Sequence, residues 1–239
     1  MPSSKRITLK KKIANLRYVD TFSKFFNTPL KFFNNIWYVN ERIVEQPFVL
    51  NRIDFNGKGK RALEFGCTRS YLALQLASLG YEVVGIDLRE YIFDHPNLTF
   101  YQNNILNLAE EESFDLITAI SVLEHIGLGV YGEVRNNTDL SSILQKVTLL
   151  LKPDGKFIAT FPFGQPYEDK FIRSFTFEDI DELFHDLELK LIENQYFYRE
   201  SHRYWRNCSL EIAKTTSNSK KDRGRTGVNC IGCFLWKKK

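Results

Sequence analysis

The sequence predicts an α/β fold built on a mostly parallel sheet with helices on both faces. Three observations support this. From Lys60 onward, short, near-continuous apolar runs alternate with segments of helical periodicity. Gly80 and the turn Lys152-Pro153-Asp154-Gly155 close the helical segments. The strand-like runs carry their polar residues at their carboxyl ends, as expected of strands buried on both faces and open to a ligand at one end.

Residues 1–58 are read as a basic, aromatic-rich helical arm or cap, and residues 59–239 as the main domain. With 239 residues, 43% of them hydrophobic, the chain can bury one sizeable core plus an appendage. The net charge of +4 is uneven. Residues 1–40 carry eight Lys and Arg against the single Asp20, and the other 199 residues carry 25 basic against 28 acidic groups. Leu30, Phe33 and Trp37 recur at helical spacing behind Pro29, so two short amphipathic helices are expected there, with a further helix around Glu45–Leu50 and a polar hinge at residues 56–59. Such an arm suits a cap over a cleft, and it also allows peripheral contact of residues 1–40 with an anionic membrane. Nucleic-acid contact ranks below both.

In the main domain, strands are expected at 61–65, 82–87, 98–102, 114–120 and 156–161, with helices at 71–79 and 140–151. A turn at Lys152-Pro153-Asp154-Gly155 ends the second helix, and Thr176-Phe177-Glu178-Asp179 opens another with a capping-box pattern. Strands at 189–198 and 228–236 complete seven. Without a convincing crossover helix between them, that last pair is expected to be antiparallel. Cys230 and Cys233 form a C-x-x-C inside an apolar strand, where a spacing of three sends the thiols to opposite faces, so packing is expected rather than metal or redox chemistry. No run of about 18 apolar residues and no apolar leader core is present, so a cytoplasmic protein is expected.

The strand ends gather the chemistry. They offer Glu64 through Ser70, then Asp87, then Asn103-Asn104, then Ser121 through His125. An acid such as Asp87, 23 residues after Glu64, suits a ribose diol. The first turn has a single Gly where a pyrophosphate site would need several, so it suits a ligand with ribose and no pyrophosphate.

The ordered series E-F-G-C-T-R-S, V-V-G-I-D-L, N-N-I-L-N-L, F-D-L-I-T-A-I-S-V-L-E-H-I and L-L-K-P-D-G-K-F resembles the motifs of class I S-adenosylmethionine-dependent methyltransferases, from about Lys60 to Pro162. The resemblance implies a Rossmann-like fold with a seven-stranded sheet and S-adenosyl-L-methionine as cofactor. It also implies a cofactor-lining set of Glu64, Gly66, Cys67, Thr68, Ser70, Asp87, Leu88, Asn104, Ile105 and Ser121. Within that set Glu64 and Gly66 would lie by the methionine part and Asp87 by the ribose, while Asn104 and Ile105 would meet the adenine. Thr68 and Ser70 stand where the family has Gly, so their hydroxyls are free to bind. Arg69 is read as a surface residue.

No Asn/Asp-Pro-Pro-Tyr/Phe follows the fourth strand and no Pro-Cys is present there, which removes support for methylation of DNA bases. His125 is the candidate general base for a hydroxyl acceptor, with Glu124 orienting it or capping the next turn. Tyr131 and Arg173 are candidate substrate contacts, and no metal is called for. A weaker similarity of H-I-G-L-G-V-Y-G, P-F-G and R-S-F-T to methyltransferases of sugar and polysaccharide biosynthesis suggests a small-molecule or glycan-precursor acceptor. Two alternatives stay open: a non-catalytic binding or regulatory protein on this fold, and an RNA methyltransferase using the basic arm. Oligomeric state is not indicated.

Overall fold

The computed structural model describes residues 30–33, 36–68, 70–109, 111–130, 139–201, 203–218 and 227–239. Its centre is an eight-stranded sheet in the order β11-β10-β12-β7-β6-β3-β4-β5. The parallel part comprises β3 (Arg61–Phe65), β4 (Glu82–Asp87), β5 (Leu98–Gln102), β6 (Phe114–Ile120) and β7 (Leu151–Pro162). Chain order runs outward from β3 through β4 to β5, then returns to β6 on the other side, so strand order reverses between β3 and β6. A cleft at the carboxyl ends of those two strands is the consequence.

β12 (Cys230–Lys238) lies between β7 and β10 (Leu189–Ser201) and is antiparallel to both, as the missing crossover helix predicts. The sheet has one strand more than the expected seven. β11 (Tyr204–Cys208) folds back on β10 as an edge strand, and a short helix, α5 (Leu210–Thr215), follows it. The aromatic and basic residues of β11 conceal an edge strand because only one of its sides is paired. The expected turn at residues 152–155 is also absorbed into a strand. It forms a bulge within β7, where the register against β6 shifts between Phe114 and Leu116 and Asp154 takes φ +65°.

Helices α2 (Leu72–Ser78), α3 (Asp139–Leu150) and α4 (Phe177–Phe184) follow the periodicity, and α4 opens with a true capping box between Thr176 and Asp179. The expected helices over the aromatic arm are corrected. Leu30–Phe33 (β1) and Ile36–Val39 (β2) form a hairpin with Phe32 opposite Trp37, because runs of aromatic and β-branched residues fit an extended chain better than a helix. The helix and membrane-contact expectations for residues 1–29 lie outside the described residues. Helix α1 (Arg42–Leu50) then packs Phe48 and Val49 into the main core.

Two buried layers flank the sheet. One joins α1 and α2 to Ala62, Val83 and Ile158, and the other joins α3 and α4 to Leu63, Ile117 and Phe157. Cys233 belongs to the first layer and Cys230 to the second, as their spacing requires. On the second layer Trp236 stacks on Phe184 at 4.2 Å and 3°, with Phe157 at 5.5 Å. No helix among the described residues is long and apolar enough to cross a membrane.

Trp236 is 2% exposed and seals α4 against the antiparallel strands. Trp236→Ala is expected to lower unfolding free energy by about 3–5 kcal/mol, read as a drop in urea midpoint at unchanged slope.

Candidate active site

The carboxyl ends of β3, β4, β6, β7 and β10 converge on one end of the sheet, with the start of α1 lying over β6 and β7. At the end of β3, Glu64 is 1% exposed. Its carboxylate is met by the Ser70 hydroxyl and the Ala73 backbone N–H, yet Oε2 has no hydrogen-bond partner among the described residues. Burial outweighs those bonds and pushes the Glu64 carboxyl up to about 7. The chain then turns at Gly66, which has φ +77°. A Cβ there would sit 2.3 Å from Val122 Cγ2, so a side chain is excluded by the loop after β6 as well as by backbone strain.

Asp87, at the end of β4, accepts the Thr68 N–H at 3.0 Å and the Arg89 N–H at 2.9 Å, one on each carboxylate oxygen. These backbone donors hold the carboxylate in place, and the Arg89 side chain adds a longer contact to Oδ1 at 3.4 Å. The two unusual hydroxyls of the turn are used internally. Thr68 Oγ1 donates to the Arg89 carbonyl at 3.1 Å, tying the β3 turn to the β4 loop. Ser70 Oγ accepts from Leu72 N–H while its hydroxyl serves Glu64. Cys67 contributes only main chain to the turn. Its thiol is fully buried against Gly85, where a Cβ would lie 3.1 Å from Sγ, and burial pushes that thiol far up.

Beyond β5, Asn104 Oδ1 caps the 3₁₀ turn Ile105–Asn107 by accepting Leu106 N–H at 3.0 Å, with Ile105 buried and Leu88 40% exposed nearby in sequence to Asp87. Beyond β6, Ser121 takes φ +51°, an uncommon conformation for a non-glycine residue. A second 3₁₀ turn, Leu123–His125, follows. His125 Nδ1 lies 2.6 Å from the Phe171 carbonyl oxygen, where the ring nitrogen must donate. The neutral ring therefore carries its lone pair on Nε2, 3.9 Å from Glu124 Oε1. The group that orients His125 is thus a backbone carbonyl, from the ribbon β8 (Tyr167–Glu168) and β9 (Arg173–Ser174). Arg173 Nη2 donates to the Ile126 carbonyl at 2.9 Å, so this side chain pins the ribbon to the loop after β6. Arg69 and Tyr131 lie outside the described residues.

The structure adds residues that the sequence reading left in the cap. Glu45, on the same face of α1 as Phe48 and Val49, is fully buried. Its Oε1 accepts Ser121 Oγ at 2.7 Å and Thr160 Oγ1 at 2.6 Å, and its Oε2 pairs with Arg42 Nη1 at 2.7 Å. Arg42 also donates to the Ile120 carbonyl at 3.2 Å. Burial opposes the charge on Arg42, but Glu45, Glu41 and Glu124 together raise its pKa. The available clue was an acid at position 45 on the helical face that Phe48 and Val49 define as apolar.

Residues 63–159 match the family model described as a methyltransferase domain. The chain is 30% identical over 124 residues to a ubiquinone biosynthesis O-methyltransferase of Neisseria meningitidis, covering 46% of this chain and 48% of that protein. It is 29% identical over 109 residues to the enzyme of that name from Albidiferax ferrireducens, covering 41% and 39%. The chain spans about half the length of the curated relatives it matches, or less. Among solved structures, an S-adenosylmethionine-dependent methyltransferase from Mesorhizobium loti superposes with TM-score 0.57 at 13% identity over 81% of this chain and 97% of that one. The Burkholderia thailandensis 1,6-didemethyltoxoflavin-N1-methyltransferase, solved with S-adenosylhomocysteine, gives 0.53 at 16% identity over 83% and 80%.

The fold is the Rossmann-like methyltransferase fold, within which residues 63–159 match a methyltransferase domain, and S-adenosyl-L-methionine is the cofactor that the sequence resemblance implies. The residues present fit that cofactor. Glu64 offers a buried carboxylate oxygen with no hydrogen-bond partner among the described residues, and Asp87 a carboxylate fixed by the Thr68 and Arg89 backbone N–H groups.

Because the Glu64 carboxyl is raised to about 7 in the folded chain, the folded state holds an extra proton between its ordinary value and 7. That contribution to stability is complete below pH 4.5 and is lost as pH rises to 7. Glu64→Gln is expected to gain stability relative to the parent by about 2–3 kcal/mol between pH 5 and pH 8, measured by urea unfolding at both.

Proposed function

We propose that this protein is an S-adenosyl-L-methionine-dependent methyltransferase that methylates a hydroxyl of a small molecule or glycan precursor. The observation that carries the reading is that Glu64 at the end of β3, Asp87 at the end of β4 and His125 on the turn after β6 all lie at the carboxyl end of the parallel strands, where strand order reverses. The match to a methyltransferase domain over residues 63–159 supports the reaction class. The O-methyltransferase relatives support oxygen as the acceptor atom, and the weaker sequence likeness of H-I-G-L-G-V-Y-G, P-F-G and R-S-F-T to methyltransferases of sugar and polysaccharide biosynthesis supports a glycan precursor.

The bound cofactor supplies a methyl group activated by a sulfonium, so this chain has to align the acceptor and take its proton. On this reading Asp87 accepts the ribose hydroxyls, and Asn104 with the Ile105 backbone meets the adenine. Glu64 faces the methionine portion. His125 Nε2 receives the acceptor proton, because the Phe171 carbonyl holds the other ring nitrogen protonated. Arg173 keeps the ribbon closed over His125 and contacts the acceptor from the same side.

Calorimetry with S-adenosylhomocysteine tests the cofactor assignment. Asp87→Ala is expected to weaken binding at least tenfold, and unchanged affinity contradicts the assignment. For the chemistry, His125→Ala is expected to lower turnover by 10²–10⁴ with S-adenosylhomocysteine affinity within twofold of the parent. Full turnover in that variant removes His125 as the base.

A further inference from the structure

The charged groups around the start of α1 exceed what the cofactor needs. Glu124, on the turn after β6, is 3% exposed, and its Oε2 has no hydrogen-bond partner among the described residues. Glu41, just before α1, is 7% exposed, and its Oε2 likewise has none. Arg199 Nη2, on β10, lies 3.8 Å from Glu41 Oε2, beyond hydrogen-bond reach. Arg42 is already shared between Glu45 and the Ile120 carbonyl. Two buried acceptor atoms from two different segments thus lie around Arg42 with no donor, beside the loop that carries His125.

Burying an acceptor without a donor costs roughly 1–3 kcal/mol, more for a charged group, so two in one place call for a function. Burial holds the Glu124 carboxyl well above the usual range, and Glu45 and Glu41 add to that while Arg42 opposes it. A carboxylate or a fully ionised phosphate offers acceptors only, so an anion entering here would leave both carboxyl oxygens unpaired.

We propose that Glu41 and Glu124 form the acceptor-recognition site and bind a group that presents N–H or O–H donors and carries no negative charge, such as a polyol or an amine. The proposal rests on the methyltransferase reading above and adds to it the class of acceptor. It also gives the segment before the matched domain a direct role, since Glu41 comes from the N-terminal side of α1. A site built to accept from a donor discriminates steeply, because an analogue lacking the donor leaves the carboxyl oxygens unpaired.

Ligand-observed NMR on the full chain, in the presence of saturating S-adenosylhomocysteine, tests this with three probe sets of matched size: neutral polyols, primary amines, and carboxylates with phosphate esters. Binding is expected from the polyol or the amine set, whichever supplies the donors, and none from the anionic set. Glu124→Gln and Glu41→Gln are each expected to weaken that binding at least tenfold while S-adenosylhomocysteine affinity stays within twofold, which also shows that the variants are folded. Preference for the anionic set, no binding by any set, or unchanged binding in both variants overturns the proposal. Failure of the parent chain to bind S-adenosylhomocysteine in the same samples overturns the methyltransferase reading as well, so the two failures are distinguished.

Discussion

The Glu45 carboxylate is the interaction on which the working end of this fold depends. Hydrogen bonds from Ser121 and Thr160 and an ion pair with Arg42 meet on this one buried group, joining the ends of β6 and β7 to α1. A carboxylate taken wholly out of water is tolerated only when its oxygens are satisfied, and removal of one partner from such a group costs about 3–5 kcal/mol. Ser121 sits at φ +51° within this net, and the next residue, Val122, presses on Gly66. The shape of the β3 turn is therefore tied, through two contacts, to a residue that lies before the matched methyltransferase domain.

The sheet topology explains why these groups meet. Crossovers run from β3 toward β5 and then back to β6, so the strand ends open on either side of one cleft. Two carboxyls at neighbouring ends take different characters there. Glu64 is buried with one oxygen unpartnered and its pKa is raised, whereas Asp87 is met on both oxygens by backbone N–H groups. Burial leaves Glu64 an acid that can lose or hold its proton near neutrality.

Much of this was legible in the sequence. The strands at 61–65, 82–87, 98–102 and 114–120 were expected at the positions they occupy, because strands buried on both faces read as short continuous apolar runs with polar ends. The antiparallel β10–β12 pair and the opposed faces of Cys230 and Cys233 followed from connection length and strand period. The hairpin at 30–39 did not, since Leu30, Phe33 and Trp37 satisfy a helical spacing by coincidence while the segment's aromatic content favours an extended chain. Nor did the roles of Arg42, Glu45 and Thr160, because polar residues that satisfy one another across 115 positions leave no local pattern. Thr68 and Ser70 stood out as departures from glycine, and what they do, bracing the turn from within, needed the coordinates.

A crystal structure of the full chain with S-adenosylhomocysteine tests the central claim most directly. The account predicts the ribose within hydrogen-bonding distance of Asp87, the amino-acid end beside Glu64, and Glu45 still holding Ser121 and Thr160. A nucleoside bound away from Asp87, or a bound state in which Ser121 has parted from Glu45 while the β3 turn keeps its shape, would contradict it.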